Sequence, residues 1–181
     1  RQALTVQHDP PARQAFFDEA AELTHVSLML DDALRVAEGR AKWLLSDDLD
    51  EKTQAVEYIA GKAPNPMQRA VAERAVELLL AAQRANRYDL AERFLKVAED
   101  SARFSGVKET IDRVVFAKKQ LQGVLLQRSR VTQAKAKLQS APDDPEANFL
   151  VGRSLCLVDG AWATGLPHLA KGNDEKWKAL A

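Results

Sequence analysis

The seven prolines of this 181-residue chain stand at Pro10, Pro11, Pro64, Pro66, Pro142, Pro145 and Pro167, and none lies between Met67 and Ala141. A proline inside a helix removes an N–H donor and clashes with the preceding turn, so this placement marks where helices begin and end. Between the marks the chain is rich in Ala, Leu, Glu, Lys, Arg and Gln, all good helix formers, and β-strand patterning is nearly absent. The expected fold class is therefore all-α: an antiparallel array of eight or nine helices, either a solenoid or an irregular bundle.

Caps and apolar spacing predict helices near 11–24, 27–45, 49–61, 66–85, 88–104, 107–140, 145–158 and 161–171, with a short last piece holding Trp177 and Leu180. Asp9, Asn65 and the Asp143/Asp144 pair are the expected N-caps. Gly61, Gly106 and Gly172 are the expected stops, and Asn86-Arg87 a short turn. Expected inward residues include Phe16, Ala20 and Leu23 in the first helix and Ala72, Val76, Leu79, Leu80 and Gln83 in the fourth. Pro167 is read as a first-turn proline, where backbone N–H groups lack helical partners anyway. The sixth helix is roughly 50 Å long at 1.5 Å per residue. It shows a seven-residue stripe of Val114, Ala117, Leu121, Val124, Val131 and Leu138, interrupted by Arg128 and Lys135. Gly123 is a point where it would bend.

A chain of this length buries roughly 70% of its unfolded surface and needs no disulfide or metal to fold. We expect residues 1–181 to form a single helical domain. The opening without Met and the close at Lys178-Ala179-Leu180-Ala181 lead us to expect a piece of a larger protein. Cys156 is the only cysteine, so no intrachain disulfide forms, and a lone cysteine fixes no compartment. No run of 18 apolar residues is present to span a membrane.

Residues 66–104 and 142–172 read as helical hairpins that resemble the tetratricopeptide repeat. In the first, Tyr88, Ala91, Leu95 and Ala98 follow the spacing of that motif's second helix, while Leu79 sits where a small residue is usual. In the second, Pro145, Val151, Gly152 and Leu155 match the first helix, and Trp162, Gly165 and Leu169 the second if the turn carries one extra residue. Tyr88 and Trp162 lie about two repeats of roughly 34 residues apart, with the long helix between, so the array is irregular. The segment DDPEANFLVGRSLCLVDGAWATGLPHLAKG, with its GLPxLAKG motif, also resembles an uncharacterised family of helical regions in large bacterial proteins, best represented in planctomycetes. ARQAFFDEAAEL and YDLAERFLKVAEDSAR agree more loosely. That resemblance implies a repeat-like region beside other domains and carries no activity.

The tetratricopeptide resemblance implies a shallow groove lined by Glu146, Phe149, Arg153 and Cys156. There Phe149 would anchor a partner's apolar side chain and Arg153 would pair with a carboxylate. The competing structural reading packs Phe149 and Arg153 against the sixth helix. Trp43, Trp162 and Trp177 are expected core anchors.

Charge balances at 26 basic and 26 acidic residues, but it is unevenly spread. Asp18 to Glu57 carries eleven acidic and four basic residues; Arg113 to Lys137 carries seven basic and no acidic ones. Those seven, Arg113, Lys118, Lys119, Arg128, Arg130, Lys135 and Lys137, are a candidate polyanion patch. Against it, they spread around the helix, and no aromatic side chains interleave for base stacking. The alternative is a solvated helix partly facing the acidic segment. Asp47, Asp48, Asp50 and Glu51 have donors for a hard cation but not the spacing of a calcium loop, and helix capping explains them better.

His8, His25 and His168 are scattered, and no phosphate-binding glycine loop, HExxH, CxxC or GxSxG occurs. No nucleophile, base and orienting group can be named together, so neither catalysis, a cofactor nor a metal is expected. The favoured function is a non-catalytic interaction or scaffold module, whose partner is a protein, a peptide or an adjacent domain of the same polypeptide. Polyanion binding through 107–140 is the alternative, and a purely structural spacer a third.

Overall fold

The computed structural model describes residues 9–179, and in them every regular element is an α-helix. In chain order these are α1 (Pro10–Val26), α2 (Leu30–Leu44), α3 (Asp48–Lys62), α4 (Asn65–Arg84), α5 (Tyr88–Ser105), α6 (Lys108–Ser140), α7 (Pro145–Leu157), α8 (Trp162–Ala170) and α9 (Glu175–Lys178). The chain divides into two compact units, one ending at Leu121 and the other starting at Gln122. The division falls within α6, so each unit takes one part of that helix.

The first unit is built on the α4–α5 hairpin. Its helices present Val71, Ala72, Ala75 and Leu79, and Leu90, Ala91, Phe94 and Ala98, at three- and four-residue spacing; each is at most 1% exposed. Val56 and Ile59 of α3 are fully buried as well. The hairpin closes tightly because Asn86 adopts a left-handed conformation (φ 59°), and Arg87 N–H then donates to the Ala82 carbonyl at 2.8 Å. Leu80, expected inward, is 41% exposed, because one residue beyond Leu79 turns it about 100° off the core face.

α1 starts at its expected cap, with Ala12 N–H donating to Asp9 Oδ1 at 3.2 Å. Its buried aromatic is Phe17, not Phe16, and Leu23 is 59% exposed. The face is set by α2: a Cβ on Gly39 would lie 2.8 Å from Phe17 Cε1, so the missing side chain makes room for the ring. α3 runs through Gly61 to Lys62. Its end is fixed from outside, by the buried Gln68 of α4, whose Nε2 donates to the Ala60 carbonyl at 3.1 Å and the Ala63 carbonyl at 2.8 Å. Asn65 is the first residue of α4, with Pro64 as its cap and Pro66 at its start, so it does not serve as a side-chain cap.

The acidic N-terminal segment finds its partners on α4 and α5. Arg74 pairs with Asp31, Arg93 grips Glu57 through Nε (2.9 Å) and Nη2 (2.6 Å), and Arg87 reaches Asp47 (2.7 Å) and Asp50 (3.2 Å). Sequence distance hid these arginines, which fold back over the acidic segment.

In the first unit α6 buries Val114, Ala117 and Leu121. The expected stripe then fails at Val124, which is 37% exposed, and the space a side chain at Gly123 would take is open.

In the second unit the later part of α6 meets α7 through Ala134, Ala147 and Val151, flanked by Leu138, Leu150 and Leu155. α7 and α8 touch backbone to backbone. A Cβ on Gly152 would lie 2.8 Å from the Leu169 nitrogen and 2.9 Å from the Gly165 carbonyl oxygen. Gly160 turns the chain between them at φ 66°. Pro167 is the sixth residue of α8, not part of its first turn. The carbonyl deprived of its N–H is that of Ala163, and both residues are exposed to solvent.

Candidate functional site

A groove of about 480 Å³ runs between α6 and α7 of the second unit, lined by Arg130, Gln133, Ala134 and Lys137 from one helix and Glu146, Ala147 and Leu150 from the other. It exists because the two helices meet on alanines. Ala134 and Ala147, 5% and 2% exposed, form the floor, and their short side chains leave space above. Half-buried Leu150 supplies the apolar wall, while Arg130, Gln133, Lys137 and Glu146 are exposed along the rim.

One carboxylate fixes the corner where the helices join. Asp144 Oδ1 accepts from Ala147 N–H at 2.9 Å and so caps α7. Its other oxygen pairs with Lys137 Nζ at 2.7 Å. The lysine and then the backbone N–H hold the Asp144 carboxyl below its usual pKa, and the same contact raises that of Lys137. Asn148, 1% exposed, donates to the Pro142 and Asp144 carbonyls at 2.9 and 3.0 Å. With its amide nitrogen so engaged, its Oδ1 faces His168 Nδ1 at 2.7 Å, which requires that ring nitrogen to donate.

Of the four residues expected to share a groove, only Glu146 lines this one. Phe149 and Arg153, one turn apart, do not line it. Both are half-buried, the guanidinium stands 5.4 Å from the ring centroid, and the Phe149 backbone lies against Gly172. Phe149 lies farther round α7 from the α6-facing residues Ala147, Leu150 and Val151 than Glu146 does at about 100° per residue, whereas Arg153 shares nearly the face of Glu146 but lies beyond Leu150, the last α7 residue of the lining. Cys156 does not line a groove at all. It is 2% exposed and its Sγ presses on the space beside Gly165, in the α7–α8 contact.

The seven basic residues divide between the units. In the first, Lys118 pairs with Glu99 at 2.8 Å, while Arg113 and Lys119 are exposed. In the second, Lys137 is engaged by Asp144 and Arg128, Arg130 and Lys135 are exposed. The acidic group is also occupied: Asp47 caps α3 through Leu49 and Asp50 N–H, Asp48 pairs with Lys52, and Glu51 with Arg40. Among the described residues no three His, Cys, Asp or Glu side chains cluster as a metal site would require. His8 lies outside the described residues; His25 stacks on Tyr58 at 4.6 Å.

Trp43 is half-buried beneath Arg13 and Lys42, and Trp177 is half-buried too, but Trp162 is 48% exposed. It is the first residue of α8. No helix among the described residues is long and apolar enough to cross a membrane.

The groove itself was missed by sequence reasoning. Its signal was present in Ala134 and Ala147, two small residues on the facing sides of helices joined by a short turn. Compared with protein-family models, curated proteins and solved structures, the chain shows no match.

Proposed function

We propose that this chain is a non-catalytic protein-interaction module and that its docking surface is the α6–α7 groove. The observation that carries this reading is the groove's make-up: an alanine floor, a leucine wall and a polar rim, the combination used by surfaces that receive another protein's side chains. Of its titratable lining residues, Lys137 is paired with Asp144 at the corner where the helices join, and Arg130 and Glu146 stand on opposite walls. The glycine-to-glycine contact of α7 and α8 supports reading that hairpin as tetratricopeptide-like, a unit that presents helix faces to partners.

The test places a photo-crosslinking residue at Gln133, inside the groove, and at exposed Ala163 on α8 as a control, in cells of the source organism. The expected result is a protein adduct at Gln133, identified by mass spectrometry and abolished by Leu150→Arg. No adduct, or the same adducts at both positions, would overturn the assignment.

A further inference from the structure

The groove's two walls differ in charge, and this specifies what lies in it. On α6, Leu126, Arg130, Gln133 and Lys137 follow one another at four-, three- and four-residue steps, so they share one face. Leu126 is 53% exposed, and extends the apolar surface one turn beyond Arg130. Arg130 has no ion pair among the described residues, whereas Lys137 is held by Asp144. On the facing wall Glu146 is the exposed charge. A surface running along a helix axis, with small residues at its floor, accepts a third helix as bundles do, ridge into groove.

Resting on the interaction reading above, we propose that the occupant is an amphipathic helix of a partner protein, about three turns long, acidic on one flank and basic on the other. The length follows from the stripe: Leu126 to Lys137 covers roughly 16 Å at 1.5 Å per residue. The partner's apolar stripe packs over Ala134, Ala147, Leu150 and Leu126. Its acidic flank meets Arg130, where a planar guanidinium takes a carboxylate by two parallel hydrogen bonds, and its basic flank meets Glu146. Reversing a helix end for end in a groove exchanges its flanks. The two wall charges therefore set the direction in which the partner lies.

The test uses the full chain and two synthetic helical peptides of about 14 residues with the same leucine stripe. One carries Glu on one flank and Lys on the other; the second carries Gln on both. Fluorescence anisotropy is expected to show the charged peptide binding roughly three- to tenfold tighter, as partly exposed ion pairs allow. Arg130→Glu or Glu146→Lys alone removes that advantage. The double exchange Arg130→Glu with Glu146→Lys restores it, with the peptide lying the other way round, as read by a spin label at one peptide end. Equal binding of both peptides, abolished by Leu150→Arg, would overturn the charge rule and leave the docking surface standing. Failure of both peptides to bind would overturn the helical occupant, and the Gln133 crosslink then judges the interaction reading separately.

Discussion

Replacing Gly152 with alanine is expected to destabilise the second unit, because the added carbon has nowhere to go. It would sit 2.8 Å from the Leu169 nitrogen and 2.9 Å from the Gly165 carbonyl oxygen. Both are backbone atoms of α8, so relief requires the two helices to part. Overpacking of this kind costs about 1–3 kcal/mol, with rigid backbone contacts at the upper end. Alanine's better helix propensity returns about 1 kcal/mol. The net loss is about 2 kcal/mol, which lowers a urea midpoint by roughly 1 M at the slopes usual for small domains. The assay is urea unfolding followed by tryptophan fluorescence in a Trp43→Phe background, so that the signal comes from Trp162 and Trp177 in the second unit. Gly123→Ala is the control: nothing lies within 4 Å of that site, and stability should rise by up to about 1 kcal/mol. Adding Leu169→Ala removes the side-chain overlap but not the backbone one, so it should not rescue Gly152→Ala. A Gly152→Ala midpoint equal to or above that of the unaltered chain would refute the close-contact argument.

Two further outcomes test the first unit. Gln68→Ala strips the Ala60 and Ala63 carbonyls of their shared donor, and should cost about 1–3 kcal/mol in urea unfolding of a chain that keeps Trp43 and carries Trp162→Phe and Trp177→Phe, so that the signal comes from the first unit. His25 is held below its ordinary pKa of 6.5, first by burial and then by the charge of Arg40. As pH falls through 6.5 the unfolded chain takes up that proton before the folded one does, so stability falls until the folded value is passed. His25→Gln should flatten the stability profile between pH 7.5 and 5.5; an unchanged slope would show that His25 does not contribute.

Helix positions were legible in the sequence because their signals are local. Asp9 and Asp144 cap the helices they precede, and Asn86, Gly106 and Gly160 take the left-handed conformations that end or turn them. What was not legible depends on residues distant in sequence. α3 outlasts Gly61 because Gln68 satisfies its last carbonyls, and α1 turns Phe17 inward because Gly39 leaves space. The site followed the same rule. A residue pattern places Glu146, Phe149 and Arg153 on α7, but which of them faces α6 depends on how Ala134 and Ala147 meet. The α6–α7 groove takes Glu146 but not Phe149 or Arg153, and its alanine floor has no chemically conspicuous group to mark it in the sequence.

The burial of Cys156 against Gly165 makes the chain's only thiol a reporter of motion. A soluble alkylating reagent reaches that sulfur only when α7 and α8 separate. Its reaction rate is then the rate at an exposed thiol multiplied by the fraction of time the hairpin is open. With a single cysteine in the sequence, the modified mass arises from one site and gives the opening free energy of that hairpin under native conditions. A helix docked along α6 and α7 that steadies α7 would slow the reaction, and the degree of slowing would measure how strongly docking and hairpin closure are linked.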